Sequence, residues 1–306
     1  MENNQQQLFL GIDGGGSKCN AVILNASMQV LGEGISGAAN PFHNLARAQA
    51  SVSHAADLAL ANANLESNLK SELIAGVGLA GVNLPKYFDL MNQWQHPFKS
   101  MHLATDLHIA CLGAHSGDDG AIMITGTGSC GYVSVNGQTL IVGAHGFPHG
   151  DICSGAWFGF KAVEKILLSY DGIIGSTALT EKIFSALNCD DSNTLIETIA
   201  GNGATFYAQL AIHIFDAADA GDQIAKDIIK EGCAYFESVF NILMTKQPNK
   251  ISLIGGLKPR LMQWLNSEVA AQISVPTNPP EIGAVLFAMQ QQALNNAKSL
   301  SFFKQI

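Results

Sequence analysis

The fold is decided by a pattern that occurs twice along the chain: FLGIDGGGSKCNAVIL at residues 9–24 and AIMITGTGSCGYVSV at residues 121–135. In each stretch an apolar run of strand length enters a Gly-rich turn, and a second apolar run leaves it. The turn at residues 13–18 and the turn at residues 125–129 hold the same place in the two stretches. The repeat predicts two halves that each begin with a strand, a Gly-rich turn and a returning strand.

The rest of the chain alternates between strand and helix patterns. A helical pattern at Leu45–Asn62 is followed by an apolar run of strand length at Ile74–Leu79. Helical periodicity dominates residues 155–247, and a short apolar run at Ile251–Ile254 precedes a last helical segment that starts at Glu281. Strands that alternate with helices indicate the α/β class.

Length and composition exclude several classes of function. The 306 residues are 47% hydrophobic and 13% charged, enough for a large core and for about two domains. The formal net charge is -9 with Lys and Arg scattered singly, so we expect no nucleic-acid partner. Met1–Gln7 is polar and no apolar run is long enough to cross a bilayer, so we expect a cytoplasmic location and no membrane partner.

Both Gly-rich turns have the chemistry of an anion site. Glycine lets the backbone approach phosphate oxygens closely, so successive N–H groups can form an anion-binding concavity. Two such turns can hold one polyphosphate. The alternative is that each is a tight β-turn without a ligand.

Three other phosphate motifs do not match. Gly16-Ser17-Lys18 has the serine before the lysine, which is the wrong order for a Walker A loop. The stretch 126–131 matches G-x-G-x-x-G, but a strand pattern follows it where a dinucleotide fold needs a helix. The His-Arg-Asp and Asp-Phe-Gly motifs of protein kinases are absent from the sequence.

Three motifs in order resemble those of the actin, hexokinase and heat-shock chaperone superfamily of ATPases. Residues 11–18 are similar to its first phosphate motif, residues 125–129 to its second and residues 253–257 to its adenosine motif. Within the superfamily the chain resembles the BadF/BadG/BcrA/BcrD-type ATPases, in the branch that includes N-acetylglucosamine kinases and glucosamine kinases. The resemblance runs from Leu8 to Met289 and is closest to glucosamine kinases at His96–Gly131.

The resemblance implies two ribonuclease-H-like (actin-like ATPase) domains with an interdomain cleft, and ATP and Mg²⁺ as cofactors. The first domain would comprise residues 1–115, with a C-terminal helix at about 285–306 packing back on it. The second would comprise residues 116–284 and carry a helical insertion. A homodimer is also expected from the relatives.

The resemblance assigns nucleotide and metal contacts by position. Asp13 ends the first strand, where a carboxylate can hold Mg²⁺ through water, although an Asp-Gly pair is also a common turn former. Lys18 is either a phosphate contact or a solvated strand residue. The expected cofactor contacts are Asp13, Gly14, Gly15, Gly16, Ser17, Lys18, Gly126, Thr127, Gly128, Gly255 and Gly256.

Asp106 is the candidate catalytic base. It follows a predicted strand and precedes a helix, and phosphoryl transfer to a hydroxyl needs one group to receive the proton. The alternative is that Asp106 only caps the helix at Leu107. The resemblance implies sugar contacts from Asn40, Gly81, Asp106, Ser129, His145, Gly146 and Asp151.

The loop before Gly155 leaves two questions open. Ile152 and Cys153 depart from the family pattern, so this loop does not decide whether the sugar is glucosamine or N-acetylglucosamine. His145, His149 and Asp151 form an H-x₃-H-x-D string that can also be interpreted as a metal site, although ordinary loop polarity explains it equally well.

The expected function is ATP-dependent phosphorylation of an amino sugar at its 6-hydroxyl. One rival is an ATPase that couples ATP hydrolysis to electron transfer in a partner dehydratase or reductase. Those relatives hold an iron-sulfur cluster with closely placed cysteines, and the six cysteines here are far apart in sequence. A regulator without catalysis would be expected to lose Asp13, Asp106 and Asp151, and all three are present.

Overall fold

The computed structural model describes residues 7–303, with side-chain environments as far as Ala297. Its contacts divide the chain into two compact units. Unit 1 takes in the chain up to Gly120 and again from Pro276, and unit 2 is Ala121–Val275. The predicted N-terminal segment falls on residues 1–6 and the end of the predicted last helix on 304–306, which lie outside the described residues. As domain limits, positions 115/116 and 284/285 stay a prediction.

Unit 1 is built on a mixed five-stranded sheet. Its strands are β1 (Leu8–Gly14), β2 (Cys19–Asn25), β3 (Val30–Ser36), β4 (Ile74–Leu79) and β5 (Ser100–Thr105). Their order is β3-β2-β1-β4-β5, with antiparallel pairing from β3 to β1 and parallel pairing from β1 to β5. The antiparallel half contains the predicted strand and returning strand as β1 and β2, and the parallel half is made of strands that helices separate along the chain.

Unit 2 repeats this plan. Its strands are β6 (Gly120–Thr125), β7 (Ser129–Val135), β8 (Gln138–Gly143), β9 (Ile251–Ile254) and β10 (Ile273–Ser274). Their order is β10-β9-β6-β7-β8. Read from the other end, as β8-β7-β6-β9-β10, it matches β3-β2-β1-β4-β5 of the first sheet strand for strand. The repeat predicted from the sequence is therefore confirmed at the level of sheet topology.

The described part of the chain also contains eleven α-helices. They are α1 (Leu45–Asn62), α2 (Pro85–Asn92), α3 (Asp106–Ala114), α4 (Gly155–Tyr170), α5 (Leu179–Leu187), α6 (Ser192–Ile199), α7 (Ala204–Asp219), α8 (Gln223–Met244), α9 (Lys258–Leu261), α10 (Ser267–Gln272) and α11 (Pro280–Phe303). Within residues 7–303 no helix combines the length and the apolar run that a bilayer crossing needs.

The two faces of the unit 1 sheet are covered by different helices. Leu10 and Ile12 of β1 pack with Val52 of α1 in one cluster, whereas Phe9 packs with Val285 of α11 in another. Successive side chains of a strand point to opposite faces. Asp13 therefore lies on the face that α11 covers, together with Phe9 and Gly11.

Glycines let α11 lie directly against the backbone of this sheet. A Cβ at Gly11 would collide with the carbonyl oxygen of Glu281, and a Cβ at Gly76 with that of Ala284. On the helix side, a Cβ at Gly283 would collide with the carbonyl oxygen of Ile109 in α3. Protein interiors are close-packed, so these contacts leave the start of α11 little freedom to shift.

Unit 2 has a separate core on its helices. Phe158 of α4, Phe215 of α7 and Phe236 of α8 are completely buried and belong to one cluster with Met123 and Leu253 of the sheet. The six cysteines, at positions 19, 111, 130, 153, 189 and 233, are free thiols.

Candidate functional site

The turn between β1 and β2 is anchored at one end and open at the other. Gly15 donates its N–H to the carbonyl of Lys18 at 2.9 Å, and Ala39 donates to the carbonyl of Gly15 at 2.9 Å. A Cβ at Gly16 would meet nothing within 4 Å, and Ser17 is exposed. The open half of the turn therefore has room for a ligand against its backbone.

The register of the unit 1 sheet brings three strand ends to one edge. Gly14 of β1 pairs with Leu79 of β4, and Leu79 pairs with Thr105 of β5. The chain leaves these strands next to Asp13, Gly81 and Asp106. In parallel sheets the carboxyl ends of the strands are where ligands bind.

Asp13 carries an unfavourable charge at this edge. Its pKa is raised from 3.8 to about 7, chiefly by burial, then by the negative charges of Glu281 and Asp106. The positive charge of Lys18 and a hydrogen bond from Asn20 act in the opposite direction. An acid held in this way has a strong preference for a neighbouring cation. Sequence reasoning missed Glu281, because no local pattern shows that the start of α11 lies beside β1.

Asp106 is the first residue of α3, and it is not the N-cap. Thr105 takes that position, with its hydroxyl accepting the N–H of His108 at 3.2 Å. Asp106 Oδ1 accepts the N–H of Leu107 at 2.9 Å, so the capping alternative is wrong in its position, although the carboxylate does bond to the helix start. Burial raises the pKa of Asp106.

Asn40 and Gly81 lie together. A Cβ at Gly81 would collide with Asn40 Oδ1, and the φ of Gly81 is +86°, in the region that favours glycine. Asn40 Oδ1 accepts the N–H of Phe42 at 2.9 Å. Since Ala39 bonds to Gly15, this pair is tied to the first Gly-rich turn.

The turn between β6 and β7 is hydrogen-bonded to the start of α4. Gly126 donates to the carbonyl of Gly128 at 2.9 Å, while Gly155 donates to the carbonyl of Gly126 at 2.8 Å. Ala156 donates to the carbonyl of Thr127 at 3.2 Å. The turn is held through its carbonyl oxygens, which leaves its N–H groups at Thr127 and Gly128 as the donors for an anion.

The third Gly-rich turn follows β9 and packs on the second. Gly255 has a φ of +118°, and a Cβ there would collide with the carbonyl oxygen of Thr125. Only glycine combines this backbone conformation with so close an approach. Leu257 also donates to the carbonyl of Thr125, at 3.3 Å.

These two turns border an open pocket within unit 2. Its volume is about 340 Å³, within the range of small-molecule sites, and it is lined by Gly126, Thr127, Gly155, Ala208, Gly256 and Leu257. Gly155 and Ala208 were not predicted as site residues. The sequence carries no signal for Ala208, which α7 brings to within 3.2 Å of the Cβ position of Gly155.

The loop before α4 brings Ser129, Gly146 and Asp151 together. The Asp151 carboxylate accepts hydrogen bonds from the N–H groups of Ser129 and Gly146. Burial raises the pKa of Asp151, and these hydrogen bonds and the charge of His145 reduce the rise. Within the described residues no group of three or more His, Cys, Asp or Glu side chains is arranged to hold a metal, so the H-x₃-H-x-D string does not converge.

The fold and its turns define the class of the protein. Two α/β units with one strand order, each with a Gly-rich turn between its first two strands, are the architecture of the actin-like ATPases. Residues 10–288 match the family model of the BadF/BadG/BcrA/BcrD ATPase family. The chain belongs to that family.

Comparison with individual proteins points to one branch of the family. The chain is 35% identical to a glucosamine kinase of Vibrio cholerae, over 92% of this chain and 95% of that protein. It is 24% identical to an N-acetyl-D-glucosamine kinase of Dictyostelium discoideum, over 94% and 99% of the two chains. A Chromobacterium violaceum structure, described as a candidate N-acetylglucosamine kinase, matches with a TM-score of 0.84 and 25% identity over 92% and 99%.

Proposed function

We propose that this protein transfers the γ-phosphoryl group of ATP to the 6-hydroxyl of an amino sugar. The observation that carries the proposal is the edge of the unit 1 sheet, where the buried carboxyl of Asp106 lies beside the first Gly-rich turn and Asp13. The substrate class comes from the relatives, two of which are amino-sugar kinases that match over almost their whole length. Glucosamine is the first substrate to test, because the higher identity is to a glucosamine kinase.

Asp106 acts as the general base in this reaction. The sugar hydroxyl gives its proton to the Asp106 carboxylate as its oxygen bonds to the γ-phosphorus, and the bond from that phosphorus to the bridging oxygen of ADP breaks. A base whose pKa is nearer the working pH takes the proton more effectively. Burial raises the pKa of Asp106 in that direction.

The residues around Asp13 fit a Mg²⁺ ion. Mg²⁺ binds proteins through one or two carboxylates, with water and substrate phosphate completing its shell. Asp13, with Glu281 close enough to raise its pKa, provides such a donor set. When bound, Mg²⁺ neutralises charge on the phosphates. Asp13 would hold it through water.

The Gly-rich turns provide the ATP contacts. In the first turn we assign phosphate contacts to the backbone of Gly14, Gly15 and Gly16 and to the side chains of Ser17 and Lys18. The N–H groups of Thr127 and Gly128, with Gly126, provide a second phosphate cradle, since the carbonyl groups of that turn are already bonded. We assign the adenosine contacts to Gly255 and Gly256, of which Gly256 lines the pocket of unit 2.

The sugar contacts are assigned to two groups of residues, one in each unit. Asn40 and Gly81 are in contact in unit 1, near Asp106. Ser129, His145, Gly146 and Asp151 form the group in unit 2. Carboxylates and amides bind sugars because they can accept or donate two hydrogen bonds to adjacent hydroxyls. A cytoplasmic location and a homodimer stay predictions.

The test is ADP release from MgATP with glucosamine, N-acetylglucosamine, glucose and no sugar, followed by ³¹P and ¹³C NMR of the product. We expect release that depends on an amino sugar, and a phosphate ester on carbon 6. Release without sugar would overturn the proposal in favour of the energy-coupling ATPase. An ester at carbon 1 would remove the 6-hydroxyl assignment.

A further inference from the structure

Asp151 joins two parts of unit 2 that have been assigned to different ligands. Its carboxylate accepts the N–H of Ser129, at the end of the second Gly-rich turn, and the N–H of Gly146, in the middle of the loop 143–153. Its Oδ2 atom lies 2.7 Å from the Cβ position of Gly128. The carboxylate therefore fills the space that a side chain at Gly128 would need.

Further bonds tie the turn to the same loop and to the helix that follows it. Ser129 Oγ donates to the carbonyl of Ile152 at 2.6 Å. Gly155 donates to the carbonyl of Gly126 at 2.8 Å. The phosphate turn and the loop 143–153 are thus one hydrogen-bonded body, in which a movement of either part must break bonds to the other.

The backbone of the loop has three non-glycine residues in the left-handed region. Ala144, Asp151 and Cys153 have φ values of +59°, +56° and +69°, in the left-handed region that residues other than glycine rarely adopt. Such conformations persist only where the surrounding contacts enforce them. At Asp151 the carboxylate accepts the N–H groups of Ser129 and Gly146, and the backbone carbonyl accepts the N–H of Ser154 at 3.1 Å.

The Asp151 carboxylate has acceptor capacity left for a sugar. An ionised carboxylate offers about four acceptor sites. Two are used by backbone N–H groups, and the side chain is only partly buried. Two sugar hydroxyls can therefore bond to Asp151 while it still holds Ser129 and Gly146.

We propose that Asp151 couples the two binding events, because the carboxylate that binds the sugar also holds the turn that binds the nucleotide phosphates. A sugar on Asp151 fixes the carboxylate, the fixed carboxylate fixes the N–H groups of the turn, and the turn then binds the nucleotide with less loss of freedom. This inference rests on the proposed function. It makes Asp151 a positioning residue for the nucleotide as well as a sugar contact.

The test is calorimetric binding of ADP and of the amino sugar, each alone and each in the presence of the other at saturation. In the wild type we expect each ligand to raise the affinity of the other by the same factor, about tenfold. In Asp151→Asn the amide group offers one acceptor oxygen in place of two, so the factor should fall to about one and ADP should bind more weakly even without sugar.

The matched control is His149→Ala. His149 is exposed in the same loop and has not been assigned to either ligand. Its removal should leave the coupling factor and both affinities unchanged. A loss of the same size in this variant would mean that the loop responds to any change, which would overturn the assignment to Asp151.

A second variant tests the coupling from the other side. In Gly128→Ala the new methyl group must displace the Asp151 carboxylate, since their separation would be 2.7 Å. We expect this substitution in the phosphate turn to weaken sugar binding, although the Asp151 carboxylate and its charge are retained. A thermal unfolding scan of each variant checks that the fold is kept.

The outcomes separate the two proposals. If the wild type binds no amino sugar, the proposed function fails. If the sugar binds and both variants keep the wild-type coupling factor, the coupling inference fails alone. If Asp151→Asn loses sugar binding altogether, its ADP affinity without sugar decides, and an unchanged affinity overturns the inference.

Discussion

The two Gly-rich turns hold equivalent places in two equivalent sheets, yet their surroundings differ. The first turn is open at Gly16, and the acid beside it, Asp13, is held close to other acids. The second turn is also open at Gly126, but its carbonyl groups are bonded by Gly155 and Ala156 and its end is bonded to Asp151. One sequence pattern thus supports two kinds of site.

The difference indicates a division of labour. Around the first turn the pKa values of Asp13 and Asp106 are raised, so the ionised carboxylates favour a bound cation or a proton. Perturbed groups of this kind are typical of the place where the reaction occurs. Around the second turn the Asp151 carboxylate accepts two backbone N–H groups, so it positions the turn as well as any sugar that it binds. The following changes test this division.

The largest expected effect is on Asp106→Asn. An amide cannot receive the proton of the sugar hydroxyl, so we expect kcat to fall by about 10²- to 10⁴-fold while nucleotide affinity stays close to that of the wild type. The ADP-release assay measures the first quantity and calorimetry the second. Asp118→Asn, at an exposed acid after α3, is the control and should keep its turnover. Near-normal turnover by Asp106→Asn would show that Asp106 is not the general base.

The pH dependence of stability should distinguish Asp13 from Asp151. The pKa of Asp13 is raised to about 7, so its carboxyl favours the folded state below about pH 4 and that advantage is lost as the pH rises through 7. At about pH 8 without metal, Asp13→Asn should raise the free energy of unfolding by about 3 kcal/mol, with little change at about pH 4.

Asp151→Asn should instead lower the free energy of unfolding at both pH values, because the amide oxygen cannot replace both acceptors of the two N–H bonds. Since burial also raises the pKa of Asp151, this loss should be smaller at the higher pH. Urea titrations in EDTA at both pH values measure the two variants. If Asp13→Asn is destabilising at the higher pH, the ionised Asp13 carboxylate does not destabilise the folded state.

Glycine substitutions compare the space around the two turns. Gly16→Ala meets nothing within 4 Å and should change the free energy of unfolding by less than about 0.5 kcal/mol. Gly128→Ala must move Asp151 and should cost about 1 to 2 kcal/mol. Equal urea midpoints for the two variants would show that a methyl group fits at Gly128 as easily as at Gly16.

The smallest expected effect concerns Glu281→Gln. Removal of one negative charge near Asp13 should weaken divalent-cation binding by on the order of 1 kcal/mol, about fivefold. Mn²⁺ binding followed by electron paramagnetic resonance, with Mg²⁺ as competitor, gives this affinity without any turnover. Glu33→Gln, at an exposed acid of β3, is the control. If the two variants bind the cation equally, Glu281 has no part in the metal site.

Elements with a strong local pattern were predicted well. The helix Leu45–Asn62 and the strands Ile74–Leu79 and Ile251–Ile254 have the predicted ends. The short elements β10, α9 and α10 were not predicted, because segments of two to six residues carry too few residues for a period to show.

The residues of the candidate site also divide into those that a local motif predicts and those that only the structure shows. Asp13 and the glycines of the turns were recognisable because the motif itself places them between two strands. The cap at Thr105 was missed, because Asp106 is an equally good N-cap by residue type and only the backbone shows where α3 begins. Ala208 could not have been found, since its role depends on where α7 packs.

By itself the sequence determined the repeat, the α/β class, the three Gly-rich turns and the acids that accompany them, because each of these is encoded within a few consecutive residues. Only the tertiary structure decided that Glu281 lies beside Asp13 and that Asp151 holds the second turn. The first depends on glycines that let α11 rest on the sheet, and the second on backbone N–H groups, which every residue type except proline provides. Neither leaves a pattern along the chain, since close packing and backbone hydrogen bonds join residues that are far apart in sequence.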